Sequence, residues 1–224
     1  MRGNTKDRFG GSLKDTFCVS QPEFYDFLFR YLREVAELFP TPYFHAGLDE
    51  FWNFNLCELC RERVKNFHDE KLLFREHVIK VHDFLASIGK RMAMWPDMFE
   101  NDQSILVDLP RDIIMTEWQY QRDVRHAQAH FNNLTEENSL AKYQKPGFEV
   151  WTAPADLLLN NGKSFLDYAS HYRTAEGFLL TAWEKSDTFY DRTLPITAGR
   201  HRQQEIFCRW NETVHIPQIP DFQF

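Results

Sequence analysis

Tyr43-Phe44-His45-Ala46-Gly47-Leu48-Asp49-Glu50 decides how the rest of the chain is read. Its short apolar run predicts a β-strand that ends in two adjacent carboxylates. Upstream, Phe24, Phe27, Leu28, Tyr31, Leu32, Val35 and Leu38 recur at helical spacing. Ser20 to Glu23 reads as a capping box in front of that helix, with Pro22 in its first turn. Pro40 and Pro42 end it. Downstream, a helical region runs from about Leu56 to Ser87, broken near Asn66, and stops at Ile88-Gly89-Lys90. Arg91 to Trp95 is the next strand.

The alternation continues to the end of the chain. Asp112–Trp118 and Gly147–Thr152 read as strands, and Gly177–Trp183 as the last one. Arg122–Phe131, Leu166–Tyr172 and about Leu194–Phe207 read as helices between or after them. Strands separated by helices of this length imply βαβ units and a parallel sheet. No repeat of fixed period and no dividing linker is visible.

Composition narrows the function. The 224 residues carry 43% hydrophobic and 26% charged side chains, as a globular chain does. The net charge of -7 argues against a nucleic-acid partner, which would require a basic surface. No apolar run approaches the roughly 20 residues that span a bilayer, so no membrane partner is expected. No apolar segment follows Met1, so no secretory signal is read there and a cytoplasmic location is expected. The sequons at Asn133 and Asn211 are then chance matches.

The unusual number is 16% aromatic residues, with 6 Trp. Trp95, Trp118, Trp151 and Trp183 fall at the carboxyl ends of predicted strands, the edge at which parallel α/β folds bind ligands. Indole faces stack on the C–H face of a pyranose, and carboxylates accept its hydroxyls. Asp49 and Glu50 would each disfavour ionisation of the other, and burial among aromatics would act in the same direction. One carboxyl could then hold a proton while its neighbour stays ionised, the division of labour that glycoside cleavage needs.

Cys57 and Cys60 have a metal-like spacing, but a structural zinc site wants four ligands. Cys18 and Cys208 lack partners at close spacing, and His68 is the nearest extra candidate. Reduced structural thiols and no metal or other cofactor are therefore expected. His77 and His82, five apart on a predicted helix, read as surface or capping residues, and Glu34, Glu37, Glu58 and Glu62 as solvated faces. His45 reads as the residue that orients the Asp-Glu strand.

His45-Ala46-Gly47-Leu48-Asp49-Glu50 resembles the His-x-Gly-Gly-Asp-Glu signature of family 20 glycoside hydrolases, the β-N-acetylhexosaminidases. Cys18-Val19-Ser20-Gln21-Pro22-Glu23 resembles the segment that opens the preceding helix in that family. Gly89-Lys90 followed by Met94-Trp95-Pro96-Asp97 resembles its "Gly-Lys … Trp-x-Asp" strand. Leu180-Thr181-Ala182-Trp183 with Asp187, and the Cys57-x-x-Cys60 pair, are similar to its hexosaminidase D-like branch. The resemblance covers roughly residues 17 to 200.

That resemblance implies an α/β fold, a partial (β/α)8 TIM barrel holding strands four to eight with their helices. It implies a single catalytic-domain fragment over 1–224: a loop over 1–17, barrel β/α units over 18–200 and a C-terminal tail over 201–224. A homodimer, or a missing N-terminal half-barrel, would cover the exposed sheet edges. The implied substrate is a glycoside with terminal β-linked N-acetylhexosamine, hydrolysed with retention and with help from its own acetamido group. Asp49 and Glu50 are the implied catalytic pair. His45, Trp95, Asp97, Trp118, Tyr120, Trp183 and Asp187 are the implied substrate-binding residues, with Tyr120 in place of the family's acetamido-binding Tyr.

The pattern is broken in places. Ala46 and Leu48 stand where the family usually has Ile and Gly, and Lys185 replaces a frequent Glu. The choice between GlcNAc and GalNAc stays open. So do two rival readings, a catalytically inactive carbohydrate-binding remnant and a barrel glycoside hydrolase of another specificity.

Overall fold

The computed structural model describes residues 16–51, 53–100, 102–120, 124, 139–155, 161–170, 175–179 and 181. The expected helices over Arg122–Phe131 and about Leu194–Phe207, both sequons, Trp183, Asp187 and Cys208 lie outside the described residues, apart from Val124.

The chain forms two compact units, Met1–Met115 with Pro146–Phe148 and Thr116–Lys145 with Glu149–Phe224. In the first, helix α1 (Pro22–Leu38) leads to β1 (Tyr43–His45), α2 (Glu58–Arg63), α3 (Phe67–Ser87) and β2 (Arg91–Met94). Two 3₁₀ turns, Asp97–Phe99 and Gln103–Asp108, precede β3 (Ile114–Trp118). β1 pairs with β2 in parallel, with Phe44 opposite Met92, and β2 pairs with β3, with Ala93 opposite Ile114. In the second unit, α4 (Ser139–Gln144) and α5 (Asn161–Ala169) flank β4 (Glu149–Ala153), which pairs in parallel with β5 (Ala175–Phe178). The parallel α/β arrangement expected from the alternation is present.

Local chemistry explains most boundaries. Pro22 occupies the first turn of α1, where its missing N–H costs nothing. The helix cap is Gln21, without a side-chain hydrogen bond, so the expected Ser20 box does not form. The Ser20 hydroxyl lies 3.2 Å from Cys60 Sγ instead. Pro40 forces Phe39 into an extended conformation and stops α1. Asn66 breaks the long helical region as expected, capping α3 by accepting the Asp69 N–H at 2.9 Å. Gly89, at φ +75°, closes α3 in a conformation glycine tolerates best.

The core of the first unit is the inner face of α3. Phe74, Val78, Val81 and Leu85 are buried, as are Met92 and Met94 of β2 and Ile105 and Leu106 of the second 3₁₀ turn. Each such side chain contributes about 1.5–3 kcal/mol of burial free energy. α1 leans on α3 through Phe29 stacked on Phe84 at 4.4 Å and through Tyr25 and Phe24 against His77. His77 and His82 are therefore both buried, which corrects the expectation of surface histidines. Tyr25 Oη is 3.0 Å from His77 Nδ1, and His82 Nε2 is 3.0 Å from an Asp112 carboxylate oxygen. A spacing of five lets each ring serve a different neighbour. In the second unit Tyr143 of α4, Val150 and Ala153 of β4 and Phe165 of α5 are buried.

α5 begins earlier than its apolar pattern suggests. The Asn161 side chain accepts the Ala155 N–H and donates to the Gln119 carbonyl, both at 2.9 Å, and so starts the helix at that residue. Among the described residues no helix is long and apolar enough to cross a membrane.

Candidate active site

β1 is shorter than its sequence suggests, ending at His45, but its edge contacts with β2 continue. The Ala46 N–H donates to the Ala93 carbonyl at 2.8 Å, and the Trp95 N–H to the Gly47 carbonyl at 3.0 Å. The backbone then leaves extended geometry abruptly. Gly47, Leu48 and Glu50 sit at φ +72°, +73° and +43°. For glycine this is free; for Leu48 and Glu50 it stores on the order of 1 kcal/mol each. The conformation explains why a second glycine suits position 48, where this chain has leucine.

Two side chains hold this strained turn. His45 Nδ1 accepts the Gly47 N–H at 3.1 Å. Burial pushes the His45 imidazole down to about 4, so near neutral pH the ring is uncharged and carries its proton on Nε2. That Nε2 is buried and finds no partner among the described residues. From β2's end, Asp97 accepts the Glu50 N–H through Oδ2 at 2.9 Å. Asp97 is 1% exposed, so its carboxylate faces the backbone of the acid pair rather than open solvent.

Asp49 is half-buried and Glu50 exposed, so the burial expected for the pair reaches Asp49 alone, and that in part. Asp49 lines a cavity of about 470 Å³ together with Leu48, Ala46, Phe51, Phe24, Tyr31 and other apolar side chains of the first unit. Among the described residues no indole lines it. Trp95 is buried and packs on the His45 ring at 4.4 Å.

In the second unit, Trp118 ends β3 and its ring lies 4.9 Å from that of Tyr120, both half-buried. The Thr181 hydroxyl donates to Tyr120 Oη at 3.3 Å. Trp151 does not end its strand: β4 runs on to Ala153, and the indole donates to Glu149 at 2.7 Å while covering Gly177.

Two polar side chains at the end of β3 were not among the expected site residues. Glu117 and Gln119 are buried, and the Gln119 amide donates to Glu117 Oε1 at 3.1 Å. The signal was their alternation with Trp118 and Tyr120 after the apolar run Ile113–Met115. Cys18, set aside on sequence distance, lies 2.9 Å from Cys57 Sγ and 3.7 Å from Cys60 Sγ. The absence of a close sequence partner was a poor guide, because the turn before α1 packs beside the start of α2.

Residues 3–144 match the family profile described as "Glycosyl hydrolase family 20, catalytic domain". A Beta-hexosaminidase from Porphyromonas gingivalis is 31% identical over 94 residues, which cover 40% of this chain and 12% of that protein. Human Beta-hexosaminidase subunit beta is 33% identical over 105 residues, covering 45% of this chain and 18% of that protein. The matched region thus spans under a fifth of the length of these two relatives. A solved GH20 Exo beta-N-Acetylglucosaminidase from Vibrio harveyi, in complex with N-acetylglucosamine, superposes with TM-score 0.56 at 17% identity. It covers 87% of this chain and 33% of that one, a likeness of fold.

Proposed function

Because the chain belongs to glycosyl hydrolase family 20 by its catalytic domain, we propose that it forms part of a hydrolase removing terminal β-linked N-acetylhexosamine from glycosides. The observation that carries this reading is the pinned turn, in which Asp97 and His45 hold Asp49 and Glu50 at the carboxyl end of β1. A catalytic pair must be held within a fraction of an ångström to act, and here the backbone strain is sustained by surrounding hydrogen bonds.

In this reading the substrate's acetamido oxygen attacks the anomeric carbon as the glycosidic C–O bond breaks. Glu50 gives its proton to the leaving oxygen, and Asp49 accepts the acetamido N–H and balances the positive charge of the oxazolinium. Glu50 then takes a proton from water, whose oxygen attacks the anomeric carbon and reopens the ring with retention. The exposure of Glu50 suits an acid that must meet both a leaving group and water.

A sugar contact is assigned to Trp95, while Trp118, Tyr120, Trp183 and Asp187 keep only the substrate-binding roles the resemblance implies. Asp97 we assign to positioning Glu50. β1 to β5 would correspond to strands four to eight of the family barrel. Phe27 and Tyr31, 42% and 54% exposed on α1, support a further segment or a second copy packing there.

Release of nitrophenol from nitrophenyl β-GlcNAc tests the reading, together with inhibition by a thiazoline analogue of the cyclised intermediate. Turnover blocked by the analogue is expected. Turnover indifferent to it would point to a conventional carboxylate nucleophile. Leu48, held at φ +73° beside the acid pair where the family signature has glycine, favours a second reading, a carbohydrate-binding remnant, which predicts GlcNAc binding without turnover.

A further inference from the structure

Cys18, Cys57 and Cys60 converge outside the acid pair, and the proposed chemistry uses none of them. Their sulfur atoms all lie within 4.8 Å of one another, two pairs at 2.9 and 3.7 Å. Cys18 and Cys60 are buried and Cys57 half-buried. We propose that these three cysteines bind one zinc ion, which clamps the turn before α1 to the start of α2.

The geometry fits the metal. Zn–S bonds of about 2.3 Å around a tetrahedral ion place sulfurs about 3.8 Å apart, so sub-ångström adjustments of the Cys18–Cys57 and Cys18–Cys60 pairs suffice. The Cys57-x-x-Cys60 spacing at a helix start is that of a zinc half-site, and Cys18 supplies the third thiolate across 39 residues of sequence. Ser20 Oγ, 3.2 Å from Cys60 Sγ, or a water completes the coordination.

The chemistry fits as well. Three crowded thiolates repel, and a divalent cation supplies the opposing charge. A disulfide between any two would leave the third sulfur unpaired, whereas thiolates select zinc or another soft ion and use all three. Cys57 follows shortly after Glu50, so the clamp would fix the downstream flank of the strained turn.

The test uses the full chain, purified with reductant and zinc and then desalted. Metal analysis should find one zinc per chain, released by a mercurial thiol reagent. Cobalt substituted for zinc should show the near-ultraviolet sulfur-to-metal charge-transfer band. Cys18→Ser and Cys57→Ser should each cut zinc affinity at least tenfold and weaken that band. Cys18→His, which keeps a ligand, should retain zinc even if the serine variants fold poorly. Far-ultraviolet dichroism separates loss of metal from loss of fold. Metal at background level with three freely titrating thiols would overturn the proposal. So would a Cys18–Cys57 disulfide in metal-free protein, or an unchanged cobalt spectrum in folded Cys18→Ser.

Discussion

Asp97 shows how much one buried carboxylate can decide. Its Oδ2 accepts the Glu50 N–H at a residue held at φ +43°. Asp97→Ala would leave that amide without its acceptor and remove a buried polar anchor. A loss of about 1–3 kcal/mol is expected, read as a lower midpoint in urea unfolding. Asp97→Asn keeps a carbonyl oxygen for the bond and should lose less. Equal stability of Asp97→Ala and the unaltered chain would mean that the turn holds itself. The acid pair was legible from the strand before it and from its likeness to a known signature. Its partners were legible only as residue types, because which backbone N–H a carboxylate will meet depends on the packing of β1 against β2. Cys18 failed for the same reason, since proximity in the chain says nothing of proximity across 39 residues.

At the scale of elements, long periodic helices read well. α1 and α3 appear where their apolar spacing and their Pro, Asn and Gly punctuation place them. Strand ends read less well, because hydrogen bonding to a neighbour rather than composition decides where a strand stops. Trp151 illustrates this: it looked like a rim indole and proves to lie within β4, over Gly177. A Cβ on Gly177 would land inside that indole. Gly177→Ala should therefore destabilise by about 1–3 kcal/mol, visible as a lower Tm. An unchanged Tm would show that the ring moves freely.

The contact between α1 and α3 carries a pH signature. Burial, helped by the Lys80 cation, pushes His77 down to about 4 from an ordinary 6.5. Between those values the unfolded chain binds a proton that the folded chain refuses. Stability should thus fall as pH drops from about 6.5 to about 4, by up to about 3 kcal/mol from this residue. His45 adds a fall of the same sign over the same window. His77→Gln should flatten the slope in part, measured by urea melts at stepped pH. A slope unaltered by His77→Gln would place the proton elsewhere.

For the whole molecule, the family membership and the parallel α/β plan agree, and the central claim is that Asp49 and Glu50 divide one reaction between them. The direct test is turnover of nitrophenyl β-GlcNAc by the unaltered chain, Glu50→Gln and Asp49→Asn, each checked for native dichroism. A hundredfold to ten-thousandfold fall, about the range of a lost general acid, is expected for Glu50→Gln. A comparable fall is expected for Asp49→Asn. Turnover that survives both substitutions within a factor of about two would contradict the account, since a general acid is worth far more than that.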